Sequence, residues 1–295
     1  MPFREVLVTG ASSAIGRALA AHIRADYPAA RITGVSRRPA AGVFDRWVEA
    51  DLAGTIPPID GEFDLVVHTA AAVPATVRSE DEFEAVNVQG AAALLRTIVT
   101  APRCGILNLS SSAVYDAPTA ADIDESAAKT TTNPYGRSKL AFEQVLGSQL
   151  LRPGMTALTL RVPVLLVSGV ANNFIAGWIK ALRSAEPLTL FNPDGLLNAV
   201  VDADAIYRFM QRHLTNGGGG HVVCNVSSRE PLPIRAAAAV VMEAMSTTVA
   251  VVERTAAKPA QTINHALARH HGYEPPTVAE CLTRFASEAR AEVRA

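Results

Sequence analysis

Short apolar runs recur through the first half of the chain, and helical stretches follow most of them. EVLVTG, RITGVS, WVEADL, DLVVHTA and GILNLSS each read as strands. Alternation of this kind predicts a parallel sheet with helices on both faces. LVVHTA is the continuous apolar run expected of a strand buried on both sides. The expected fold is therefore α/β, a doubly wound parallel sheet.

After MTALTLRVPVLLVSG the rhythm breaks into Pro- and Gly-punctuated chain carrying NNFIAGWIKAL, PLTLFNPDGLLNAVVDADA and TNGGGGHVVCNVSS. This part reads as a crossing between the sheet and a small C-terminal lobe. Residues 1–163 plus 199–227 are assigned to the sheet domain, and 164–198 plus 228–295 to the small substrate lobe. The glycines at 217–220 read as a flexible turn before a strand, since no helix start follows them.

With 295 residues, 49% hydrophobic and 19% charged, the chain can bury one substantial core and a smaller appendage. A net charge of −1 gives no electrostatic case for nucleic acid or an anionic membrane. The start, MPFREVLVTG, runs straight into a strand without a signal segment, and no apolar run is long enough to span a bilayer, so a cytoplasmic location is expected. Cys104, Cys224 and Cys281 lack metal-ligand or disulfide spacing and read as buried apolar residues.

VLVTGASSAIGRALA is a strand, a tight turn and a helix, with Gly10 permitting the turn and Gly16 permitting close helix–strand packing. Such a turn points backbone N–H groups at a pyrophosphate on the helix N-terminus. The middle glycine of the usual pattern is replaced by Ser13 or Ala14, depending on register. At the end of the second strand Ser36, Arg37 and Arg38 stand where a site for NAD would carry an acid. The cations suit a 2′-phosphate, so NADP is expected over NAD, which stays possible.

NPYGRSKLAFEQ opens a helix. Asn133 can cap it, Pro134 suits its first turn, and Tyr135 and Lys139 fall one turn apart on one face.

With TGASSAIG, HTAA at 68–71, NVQG at 87–90, SSSAVY at 110–115 and YGRSK at 135–139 in this order, the chain resembles the short-chain dehydrogenase/reductase superfamily. It looks most like the extended branch of NAD-dependent epimerases and dehydratases, whose Rossmann sheet carries a small C-terminal substrate lobe. The likeness is close over the first half and looser through NNFI, LNAVVDADAI and HVVCNVSS.

The resemblance implies a catalytic set of Ser111, Tyr135 and Lys139, with Ser110 or Ser112 as the fallback serine. Hydride transfer at a carbonyl or alcohol needs a matched proton transfer at oxygen, and a phenol with a pKa near 10 is a poor base unless a neighbouring ammonium stabilises the phenolate. The cofactor would rest on Gly10, Ser12, Ser13, Ala14, Ile15 and Gly16 at the glycine turn. Ser36, Arg37, Arg38, Asp51 and Leu52 would meet it beyond the second and third strands. Thr69, Ala70, Ala71, Asn87, Tyr135, Lys139 and Pro163 would complete the site. Asn87 suits helix packing or water positioning better than chemistry. His68 is expected to position its neighbours rather than donate a proton.

Departures from the branch narrow the reaction. Ser112 and Ala113 stand where its dehydratases carry an Asp–Glu pair, and Ala113 where its epimerase–reductases carry a cysteine. Asn198 stands where the branch often has an arginine for a nucleotide-sugar diphosphate, and Arg183 or Arg208 could compensate. Ala91 for a threonine and Asp116 for a glycine affect local packing only.

The leading reading is an NADP-dependent ketoreductase or alcohol dehydrogenase, with an NAD-retaining sugar epimerase as the alternative and a non-enzymatic nucleotide sensor as a third. The substrate, a small molecule, would meet Ser112, Val164, Asn173, Phe174 and Asn198, between the strand ends and the small lobe. Phe174, Trp178 and Phe191 read as pocket walls or as core. A homodimer is expected on family analogy.

Overall fold

The computed structural model describes residues 3–40, 42–76, 79–115, 121–170, 172–217, 219–257 and 259–292. Asp116 lies outside them, as does Gly218 of the four-glycine turn. The chain gathers into two compact units, one of Met1–Ala117, Ala128–Arg161 and Ile206–Cys224, the other of Pro118–Ala127, Val162–Ala205 and Asn225–Ala295.

The first unit is built on a seven-stranded sheet, the strands being β1 (Glu5–Thr9), β2 (Arg31–Ser36), β3 (Arg46–Glu49), β4 (Glu62–His68), β5 (Val99–Ser111), β6 (Thr156–Val162) and β7 (Gly220–Asn225). Their order across the sheet is β7-β6-β5-β4-β1-β2-β3. β1 runs parallel to both β2 and β4, β2 to β3, and β4 to β5. The chain therefore winds outward from β1 through β3, returns to β4 on β1's other side, and winds out again. That reversal makes the gap between β1 and β4 the topological switch point where α/β folds hold ligands. The doubly wound sheet expected from the apolar runs is present.

Burial explains why those runs are strands. Val6, Leu7 and Val8 of β1 and Leu65, Val66 and Val67 of β4 are fully buried, as parallel strands covered on both faces must be. Helix α1 (Ala14–Asp26) buries Ile15, Leu19, Ala20 and Ile23, spaced for one helical face. On one side of the sheet Leu7, Phe63, Val66 and Ile106 pack with Leu94, Phe142 and Leu146, each large apolar side chain contributing about 1.5–3 kcal/mol on burial. These last three come from or adjoin α3 (Ala91–Thr97), which follows α2 (Glu80–Glu84) and a π-helical stretch, and α4 (Pro134–Val145). β5 is longer than GILNLSS predicts: it starts at Val99 and loops out before Gly105, where Pro102 has no N–H to give a ladder.

In the second unit helices α5 (Phe174–Arg183), α7 (Ile234–Met245) and α9 (Val278–Glu292) share one core. Ile175, Trp178 and Leu182 meet Ala238, Val241, Leu282 and Phe285 there. Short parallel pairs flank it: Val164–Leu166 with Val200–Asp202, Leu188–Phe191 with Val251–Arg254, and Asp122–Ile123 with Thr262–Ile263. Helices α6 (Ala203–Asn216) and α8 (Ala266–His270) complete the chain. Among the described residues no helix is long and apolar enough to cross a membrane.

Candidate active site

Gly10 leaves β1 with φ +69°, a conformation a side chain resists, and a Cβ there would lie 2.8 Å from both the Ala70 N and the Thr69 Oγ1. The turn and the strand-β4 exit thus approach as only a glycine allows. Ser13 caps α1, its Oγ accepting the Gly16 N–H at 3.0 Å. Gly16 packs under the turn, where a Cβ would come within 2.4 Å of the Gly10 carbonyl oxygen. The N–H groups of Ala14 and Ile15 lie in the first helical turn, which has no acceptors of its own.

A cleft opens at this switch point, where α/β folds hold ligands. Ten of the residues expected to bind cofactor line it: Gly10, Ser12 and Ser13 on one wall, Ser36, Arg37, Asp51 and Leu52 beyond β2 and β3, and Thr69, Ala70 and Ala71 after β4. Ala14, Ile15, Gly16, Arg38, Asn87, Tyr135, Lys139 and Pro163 do not line it. Arg38 is exposed and its carbonyl accepts the Ser36 hydroxyl at 2.6 Å. That bond, with one from Trp47 Nε1 to Ser36 Oγ at 3.1 Å, sets the loop so that Arg37 alone of the pair faces the cleft. Pro163 falls in the second unit.

Six lining residues were missed by sequence reasoning: Val35, Ala50 and Ala72 adjoin residues it named, and Thr76, Glu82 and Val86 belong to the chain after β4, whose pattern carries no phosphate-binding signal. The glycine approach, the helix N-terminus beside it and the small Ala70–Ala72 wall fit a dinucleotide pyrophosphate.

Ser111 closes β5, next to β4 in the sheet, and α4 brings Tyr135 to it. Asn133 caps α4 by accepting the Tyr135 N–H at 3.0 Å, and Pro134 occupies its first turn. Burial raises the phenol of Tyr135 above its ordinary value, and a hydrogen bond with the Ser111 hydroxyl works against that rise. The Lys139 ammonium is 6% exposed, and burial brings it down to about 8 against the pull of Glu143. Ser110, the fallback serine, is committed to Glu143 Oε1 at 2.5 Å, and Ser112 lies half-buried in the turn after β5. Ser111 is thus the serine brought to the tyrosine.

Two buried groups set this frame. Asn87 accepts the Ala72 N–H at 2.7 Å and donates to the Ala72 carbonyl and to Ser138 Oγ at 3.1 and 2.9 Å, tying the strand-β4 exit to α4. Its polar atoms are used in packing, and it does not line the cleft. His68 sits fully buried, and desolvation with the nearby Lys139 charge brings it to about 3, leaving the ring neutral. Thr9 Oγ1 accepts the Ala70 N–H at 3.2 Å and lies 2.9 Å from His68 Nδ1, to which it can give its own proton.

The substrate residues expected in the second unit are mostly engaged in structure. Asn173 caps α5 by accepting the Ala176 N–H at 2.9 Å and donates to the Leu165 carbonyl at 3.3 Å. Asn198 is buried and grips Ile263 from both sides, accepting its N–H at 2.8 Å and donating to its carbonyl at 2.9 Å. Neither side chain is free for a ligand. Val164 lies half-buried in a short strand. Phe174, Trp178 and Phe191 do line one cleft, with Phe174 and Phe191 exposed and Trp178 packed edge-on against Phe174.

A strand–glycine-turn–helix cleft at the switch point, beside a serine-bonded tyrosine one turn from a buried lysine, defines a dinucleotide-dependent enzyme fold of the short-chain dehydrogenase type. The chain belongs to the NAD-dependent epimerase/dehydratase family, whose model matches residues 6–224. A curated relative, the UDP-glucose 4-epimerase of Azospirillum brasilense, is 33% identical over 166 residues, covering 53% of this chain and 48% of that protein. The match thus spans about half the length of that relative. Among solved structures, MoeE5 in complex with UDP-glucose and NAD is 22% identical with a TM-score of 0.80, covering 99% of this chain and 100% of that one. The ADP-L-glycero-D-manno-heptose-6-epimerase of Helicobacter pylori is 16% identical with a TM-score of 0.81, covering 98% and 97%.

Proposed function

We propose that the protein epimerises a hydroxyl-bearing carbon of a nucleotide-linked sugar by oxidation and re-reduction at one place, with NAD in the switch-point cleft. The observation that carries the reading is the single acid/base unit, Tyr135 bonded to Ser111 beside Lys139. Oxidation and return at one carbon needs one such unit, whereas elimination or proton exchange beside a ketone needs a further group, and Ser112 and Ala113 stand at those positions. The relatives weigh the same way, toward the epimerase that the sequence carries as its alternative rather than the ketoreductase it places first.

NAD supplies the hydride acceptor and, once reduced, the donor. Tyr135 takes the hydroxyl proton as the sugar is oxidised and returns it on reduction. Ser111 donates to the developing alkoxide, and Lys139 supplies positive charge beside the phenolate. The homodimer expected by analogy remains part of this proposal, with a dimeric mass by light scattering as its check.

Incubation with UDP-glucose, UDP-galactose and UDP-glucuronic acid in the presence of NAD, followed by proton NMR, tests the reading. Appearance of an epimer with no lasting change in absorbance at 340 nm is expected. Steady NADPH consumption with a ketone and no epimer would replace it with the reductase. That second reading is favoured by Arg37 in the cleft wall and by a β2 end that carries no acid. Titration of NADPH against NADH fluorescence separates the two cofactors.

A further inference from the structure

The inner face of α4 carries more charge than a packed interface needs. Tyr135, Lys139 and Glu143 follow one another at four-residue steps, and Lys139 and Glu143 are 6% and 5% exposed. Glu143 is gripped from β6: Arg161, itself 4% exposed, donates from Nη2 to Oε2 at 2.7 Å and from Nε to Oε1 at 3.1 Å. From β5, Ser110 donates to the same Oε1 at 2.5 Å. Arg161 Nη1 in turn donates to the Tyr115 hydroxyl at 2.7 Å, and its guanidinium lies 5.2 Å over that ring. The pair thus joins three elements around the catalytic helix.

Three ionisable groups are thus buried here, Glu143 paired with Arg161 and one helical turn from Lys139. The groups facing them add no compensating charge. His68 from β4 is held neutral by burial, and His221 from β7 is likewise lowered by burial, although Glu143 acts the other way on it. Arg161 holds Glu143 through a bidentate bond, and the Glu143 carboxylate works against the burial that lowers the Lys139 ammonium. One carboxylate serves two cations.

We propose that Glu143 is a positioning residue for the Tyr135–Lys139 pair: fixed by Arg161 and Ser110, its carboxylate keeps Lys139 charged, and the cluster's surplus positive charge is what the Tyr135 phenolate neutralises. This rests on the acid/base role given above to Tyr135 and Lys139. It adds to that role a distinct requirement, a buried ion pair that never touches the substrate.

The test reads Lys139 directly. The chain has four lysines, Lys129, Lys139, Lys180 and Lys258, so protein labelled with ¹³Cε-lysine gives few signals, and Lys139→Arg identifies the one of interest. In the unaltered protein the Lys139 signal is expected to titrate near pH 8. In Glu143→Gln, which keeps the shape and loses the charge, the midpoint is expected to fall by about one pH unit or more. In Arg161→Met, which leaves the whole carboxylate to Lys139, it is expected to rise. A folded variant of either kind with an unmoved midpoint overturns the proposal, as does an unaltered protein whose Lys139 titrates at the ordinary lysine value. The titration needs neither substrate nor nucleotide, so absent epimerase turnover would remove the proposed reaction and leave this test standing.

Discussion

Gly136 lies so close to Ala113 that a Cβ on it would come within 2.3 Å of the Ala113 carbonyl oxygen and 2.8 Å of Thr131 Oγ1. Helix α4 therefore beds directly on the turn after β5, and the residue before this glycine, Tyr135, is delivered to Ser111 as a consequence. Gly136→Ala improves helix propensity by about 1 kcal/mol, but the backbone oxygen it meets cannot swing away as a side chain would. Net destabilisation of about 1–3 kcal/mol by urea unfolding is expected, with turnover falling further than the loss of folded protein explains. Unchanged turnover would show that the helix does not need this contact.

Tyr135→Phe removes the proton-transfer group and leaves the cleft lining intact, since Tyr135 is not part of it. Turnover is expected to fall by about 10²–10⁴-fold while nucleotide affinity, read by fluorescence titration, stays within a small factor.

What was legible in the sequence followed from local rules. The glycine turn and the Asn133–Pro134 helix start depend on residues a few positions apart, and each is where its spacing put it. The strands were legible because parallel strands buried on both faces must be continuously apolar. What was hidden depends on partners far along the chain. The Gly136–Ala113 contact joins distant segments, the Glu143–Arg161 pair spans a helix and a strand, and Asn198 meets Ile263 from far away in sequence. Arg37 and Arg38 were equivalent on the page. The two bonds at Ser36, to the Arg38 carbonyl and from Trp47 Nε1, make them different.

His68 links acidity to stability. Its folded value, about 3, lies below the ordinary 6.5, so between those limits the unfolded chain binds the proton and the folded chain does not. Its contribution is fully present above about pH 6.5 and is lost as the pH falls toward 3, at up to about 1.4 kcal/mol per pH unit. Carboxylates titrate in the same range, so the readout is a difference. His68→Gln is expected to show a shallower fall in urea stability from pH 6.5 to 4 than the unaltered protein. Parallel curves would mean that the ring is already charged in the fold.

Asn198→Ala strands the N–H of Ile263 in a buried place, while the Ser227 hydroxyl still donates to the Ile263 carbonyl at 2.7 Å. A loss of about 1–3 kcal/mol in unfolding free energy is expected, with the Michaelis constant for a nucleotide sugar little changed in the folded fraction. A large rise in that constant with unaltered stability would return Asn198 to the substrate site.

The central claim, oxidation and return at one carbon, is tested most directly by running the reaction in D₂O with NAD and a nucleotide sugar and examining the inverted carbon by NMR. The account predicts an epimer that keeps its original hydrogen at that carbon, with no net consumption of nicotinamide. Deuterium at the inverted carbon, or product formed only in step with NADPH oxidation, would contradict it.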